Sequence, residues 1–193
     1  MDLGGQLEVA RVGRVLVAEI VEPDTQQPVP WDAESSGELQ CRGNWIAADY
    51  YDDPRSGESF TTDGWLRTGD LARADDEGFV YIVDRWKDMY ISGGENVYPA
   101  EIEAVLYKHP AVHMCAVVGV PHETWGEVGK AIVELKPGAS LSLETLSFFL
   151  KDRLGKFKLP KYLKVVDSIP RTPASAKVQK FLLKEKHGGA NND

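Results

Sequence analysis

Cysteine is scarce in this sequence: Cys41 and Cys115 are the only two in 193 residues. A pair so far apart makes no disulfide framework, and only His113 stands near either of them, which excludes a cysteine-based metal site. Both read as small hydrophobes on strands. Long apolar runs are missing too, since nothing approaches the roughly 18 consecutive residues that a membrane-spanning helix needs. The opening Met1-Asp2-Leu3-Gly4 has neither the basic nor the apolar region of a secretion signal, so a reducing cytoplasm is the expected location. Positive charge is in deficit, with 22 Lys and Arg against 30 Asp and Glu and a net charge of -8. The broad basic surface of a nucleic-acid binder is therefore absent, and any anionic ligand must be met by local cations. Lys151 to Lys164 (KDRLGKFKLPKYLK) is such a local stretch. It reads as a solvated basic face or, more sharply, as a phosphate-steering surface.

What is present is enough for one domain or two small ones, with 42% apolar and 27% charged residues. From Leu7 to Val21 apolar residues recur at every second position around Gly13, predicting two strands and a tight turn. Gly37 to Gly43 predicts another short strand, and Leu66 to Arg73 with Phe79 to Val83 flank the turn Ala74 to Gly78. Residues 1–84 thus read as a β-rich unit. Helical spacing begins only after Asp84, in Glu101 to Leu106, with Pro99 where a helix opens. Strands at Val112 to Val120 and Lys130 to Leu135 follow. A helix is expected from Leu143 to Leu154 behind an N-cap Ser142, then a strand at Tyr162 to Val166 and a closing helix from Val178 to Lys186. The fold class is α+β: a small mostly-β subdomain, expected as a distorted barrel, followed by a compact α+β C-terminal lid domain over 85–186, with a frayed polar tail at 187–193.

Amphipathic patterning leaves the polar residues of three segments unexplained. In Trp65 to Leu71 (WLRTGDL) Asp70 sits beside a glycine, where its paired oxygens suit two sugar hydroxyls, although from these residues alone a turn Asp bonding its own backbone is the favoured reading. Asp84 to Pro99 carries the pair Gly93-Gly94, which permits close backbone approach to a ligand. Ile169 to Val178 is a proline-punctuated loop that delivers Lys177 to the start of a helix, where the helix dipole disfavours a cation.

In this order the segments resemble the adenylate-forming superfamily of acyl-CoA synthetases, peptide-synthetase adenylation domains and beetle luciferase. The resemblance runs from about Val15 to Leu183 and includes Gly37-Glu38-Leu39 to Gly43, Trp65 to Leu71, Asp84-Arg85-x-Lys87-Asp88, Ser92 to Glu103 (SGGENVYPAEIE) and the lysine loop. The Ser92 to Glu103 form is most like that of acid-CoA ligases acting on fatty or aromatic acids. The resemblance implies that Asp70 and Arg85 hold the ribose of ATP or AMP and that Lys87 is a hinge. It implies further that Gly93 and Gly94 lie on the pantetheine path of CoA, and that Lys177 bridges the acid's carboxylate and the α-phosphate. The sequence departs from the family at Ala176, where glycine is usual, and at Leu66, where an aromatic is usual.

The family's Ser/Thr/Gly-rich phosphate loop is not found in these residues, nor is the Thr-Glu that supports Mg²⁺. The expectation is therefore a C-terminal portion of an acid-CoA ligase, inactive alone, whose partners are the missing N-terminal region, a carboxylic acid and CoA, with no metal ligands of its own. Its β-rich part is expected to expose apolar surface and self-associate. The alternatives are a non-catalytic interaction or nucleotide-binding module, and an acyl-AMP ligase that serves a carrier protein.

Overall fold

Alternation of apolar and polar residues in LVAEIV builds β1 (Leu16–Val21), which turns Ala18 and Ile20 inward. β1 runs antiparallel to β2 (Gly37–Gly43), which pairs with β3 (Leu66–Ala74), which pairs with β4 (Val80–Arg85). A one-turn helix, α1 (Ser56–Ser59), precedes β3. Ala18, Ile20, Ala72 and Ala74 form a small core with Val29, Trp31 and Leu39 packed against it. The strand order is β1-β2-β3-β4, an open sheet among the described residues rather than the expected distorted barrel, because β1 and β4 do not pair with each other there. The computed structural model describes residues 16–54 and 56–189, so the first of the two strands expected over Leu7 to Val21 and the Gly13 turn lie outside the described residues.

The chain divides into two units, Met1–Lys87 and Asp88–Asp193. In the second unit, β5 (Tyr90–Ser92) and β6 (Glu95–Val97) form a short hairpin, followed by α2 (Pro99–Leu106) with its proline in the first turn. β7 (Val112–His122) and β8 (Gly126–Leu135) form a long antiparallel ladder. The other edge of β8 takes β5 at Ser92↔Gly126 and, in parallel, β9 (Tyr162–Val166) from Lys130 to Glu134.

Both faces of this sheet are covered, which is why Val112 to Val120 reads as a nearly unbroken apolar run. One face buries Val117, Ala131 and Val133 against Tyr90, Ile102 and Leu106 and against Leu146 and Leu150 of α3 (Leu143–Leu150). The other buries Val118, Val128 and Ile132 against Ile169 and against Leu183 of α4 (Lys180–His187). Ser142 caps α3 as expected, its Oγ accepting from the Thr145 amide at 3.2 Å, and the Thr145 hydroxyl accepts the Ser142 amide in return at 3.0 Å. The helix stops at Leu150 instead of Leu154, though Leu154 still reaches the core. No helix among the described residues is long and apolar enough to cross a membrane.

Candidate functional site

Asp70 and Arg85 are brought together by register. They face each other as partners on β3 and β4, and Arg85 Nε lies 3.0 Å from Asp70 Oδ1. The local turn chemistry goes to a neighbour. Thr68 donates its hydroxyl to the Leu39 carbonyl at 2.7 Å and accepts the Asp70 amide at 3.1 Å, so the Asp70 carboxylate is left for Arg85 and is not spent on its own backbone. The pair is solvated, with the Arg85 side chain 60% exposed and that of Asp70 31%. A pair that open contributes only about 0–1 kcal/mol to stability. It is better suited to present a carboxylate and a guanidinium side by side than to hold the sheet. The Cys41 thiol is pushed above its ordinary range, first by burial and then by the charge of Asp70.

Lys87 is exposed on a single 3₁₀ turn, Trp86–Asp88, and the division between the units falls directly after it.

Gly93 and Gly94 are the two central residues of the β5–β6 hairpin, at φ 61° and 88°. Two successive left-handed residues define the type I′ turn that matches the twist of a two-residue hairpin, and glycine enters both positions without strain. The two are not equivalent. The Gly93 amide donates to the Trp125 carbonyl at 2.9 Å, and a Cβ on Gly93 would stand 2.7 Å from the Trp125 ring, whereas one on Gly94 would meet nothing within 4 Å. Trp125 is therefore the wall of the glycine turn, a role the sequence did not single out. In the same unit, Pro121, His122, Glu123, Thr124, Gly126 and Tyr162 line an open pocket of about 530 Å³.

Lys177 lies on a loop pinned at both ends by the bridge Arg171↔Val178. Inside it, the Thr172 amide donates to the Lys177 carbonyl at 2.9 Å, the Ala176 amide to the Thr172 carbonyl at 2.9 Å, and the Lys177 amide to Thr172 Oγ1 at 3.2 Å. The backbone is fixed while the side chain is exposed. Ala176 takes φ 53°, the left-handed conformation that explains why glycine is usual there. The sequence placed Lys177 at a helix start, but α4 begins at Lys180, because Val178 is used in the bridge.

Asp70 and Arg85 thus share one site in the first unit, while Gly93, Gly94 and Lys177 occupy separate turns of the second. Among the described residues no group of three or more His, Cys, Asp or Glu is placed to hold a metal ion.

Residues 101–176 match the family model of the AMP-binding enzyme C-terminal domain. The chain is 50% identical over 150 residues to the 3-[(3aS,4S,7aS)-7a-methyl-1,5-dioxo-octahydro-1H-inden-4-yl]propanoyl:CoA ligase of Rhodococcus jostii (strain RHA1), covering 77% of this chain and 29% of the ligase. Its fold is similar to that of ATP-bound MatB from Rhodopseudomonas palustris, with a TM-score of 0.80 and 36% identity over 90% of this chain and 34% of that one. It is also similar to o-succinylbenzoate CoA synthetase from Bacillus subtilis in complex with its acyl-adenylate intermediate, with a TM-score of 0.77 and 37% identity over 90% of this chain and 35% of that one. The chain thus spans about a third of the length of the relatives that it matches.

Proposed function

We propose, for a chain that belongs to the adenylate-forming family of acyl-CoA synthetases, that it is the C-terminal portion of an ATP-dependent acid-CoA ligase. In the first half-reaction a carboxylate oxygen attacks the α-phosphorus of ATP, the bond to the β-phosphate breaks, and pyrophosphate leaves. In the second, the CoA sulfur attacks the acyl carbonyl and AMP departs. Asp70 accepts the ribose hydroxyls, and Arg85 orients that carboxylate and contacts the same sugar. Lys177 offsets the repulsion between carboxylate and phosphate as they meet. The Gly93-Gly94 turn lines the thiol's path, and Lys87 is the pivot between the two half-reactions. Mg²⁺ would neutralise the phosphates, through ligands assigned to the part of the relatives that this chain does not span. For the same reason we propose that the chain alone does not turn over.

The observation that carries this reading is the Lys177 loop, whose backbone is fixed by its own hydrogen bonds while the ammonium faces solvent. Two converging anions require a cation delivered from a fixed backbone position, and a donor that is held in place once they are bound is worth about 100- to 1,000-fold in rate. The test joins this chain to the N-terminal portion of a relative and compares Lys177→Ala with the unsubstituted protein. Acyl-adenylate formation should fall by about that factor, while thioester formation from supplied acyl-adenylate stays nearly unchanged. Equal losses in both steps refute the role.

A further inference from the structure

Lys180 opens α4, in the turn where the helix dipole repels a cation, and its side chain is only 16% exposed. Its location is costly on both counts, so what compensates it is informative. Its Nζ lies 2.9 Å from Glu103 Oε1 on α2 and 3.6 Å from Asp88 Oδ2, the second contact being an ion pair too long for a hydrogen bond. Glu103 is itself held, because Oε1 accepts the Val117 amide of β7 at 2.7 Å and its side chain is 16% exposed. One ammonium thus ties the first residue of the second unit, the middle of α2 and the start of α4 into a half-sequestered network. The residue before Asp88 is Lys87, and the loop ending in Lys177 stands directly before α4.

We infer that Lys180 is a positioning residue: it anchors the Lys177 loop and the segment after Lys87 to one rigid frame, so that the backbone bends at Lys87 and not beyond it. Its consequence for catalysis rests on the ligase reading above, but the tether does not. Lysine suits the task because a compact ammonium can face two carboxylates that approach from different elements, while its stem lies along buried surface. The second unit keeps one internal geometry whichever way it turns, and Lys177 arrives with its backbone already set.

Hydrogen exchange on the full chain tests the tether without reference to any substrate. Lys180→Met should accelerate exchange at the Thr172, Ala176 and Lys177 amides and at Asp88 and Met89 by about 10-fold, since it leaves two half-buried carboxylates without this counter-ion. Lys180→Arg should restore the original rates. Asp88→Asn, which leaves α4 and its lysine intact, should accelerate Asp88 and Met89 by about threefold and provides the measurement if Lys180→Met does not fold. In the completed enzyme, Lys180→Met should slow adenylate formation about 10-fold and spare thioester formation from supplied adenylate. Loop and hinge-flank amides that exchange at the unsubstituted rate overturn the inference whatever the enzyme does. Faster exchange combined with a Lys177→Ala variant that adenylates normally overturns the ligase reading and leaves the tether standing.

Discussion

The two glycines of the β5–β6 turn offer a matched experiment, because both carry positive φ and only one is crowded. Gly94→Ala should cost only the left-handed backbone of an L-residue, about 1–2 kcal/mol. Gly93→Ala pays that and also drives its methyl to 2.7 Å from the Trp125 ring, well inside van der Waals contact. Overpacking of this kind costs about 1–3 kcal/mol, and the indole's 49% exposure gives it room to swing aside, which favours the lower end. The expected total is about 2–3 kcal/mol for Gly93→Ala, some 1 kcal/mol beyond its neighbour. At about 2–4 °C per kcal/mol for a chain of this size, the two variants should separate by about 2–4 °C in thermal unfolding followed by circular dichroism. Trp125→Ala keeps the carbonyl that accepts the Gly93 amide and removes the ring. In that background the two glycine substitutions should become equal, and the double-mutant cycle isolates the ring's share. Equal costs for both glycines in the unsubstituted chain would refute the steric argument, as would a difference that persists without the indole.

Ala176→Gly should stabilise the chain by about 0.5–1 kcal/mol, because relief of the left-handed strain exceeds the extra entropy of glycine in the unfolded state; a destabilised variant in denaturant titration contradicts this. The Asp32 carboxylate accepts the Ser35 amide at 2.6 Å, the Ser35 hydroxyl at 2.7 Å and the Glu34 amide at 2.9 Å, which lowers its pKa to about 2. A depressed carboxyl pKa contributes stability that is present above the unfolded value, about 3.9, and is lost as pH falls through the folded one. Its side-chain carbon signal should therefore titrate near pH 2, and Asp32→Asn should flatten the acid limb of the stability curve between about pH 4 and pH 2. A midpoint near 3.9 would show the turn to be open in solution.

Strands with a one-sided or doubly buried pattern were legible in the sequence. β2 falls at Gly37–Gly43 as expected, and β3 and β4 flank the expected turn. The β5–β6 hairpin was not, because strands of three residues are too short to show alternation, and its glycines read as a ligand approach while they also make the turn itself. α3 ends early, since its last apolar residue, Leu154, is buried from a turn and periodicity cannot tell that from a helix. The dipole conflict assigned to Lys177 belongs to Lys180, the residue that opens α4. That shift of three residues hid the Lys180–Glu103 pair, whose partners are 77 positions apart and leave no local trace. Of the site, the residue types and their order were readable. The Asp70–Arg85 contact was not, because it depends on strand register, and the Trp125 wall depends on β5 meeting β8 at a single pair.

The mixed sheet also dictates an order of assembly. β7 and β8 are separated by only a short turn and can zip together once residue 135 is available, whereas β9 joins in parallel only after the intervening stretch with α3 has been made. As the polypeptide emerges from the ribosome, the ladder can close early while the edge of β8 that receives β9 stays open. During that interval the exposed edge is a template for foreign strands, and synthesis through Val166 is what removes the hazard.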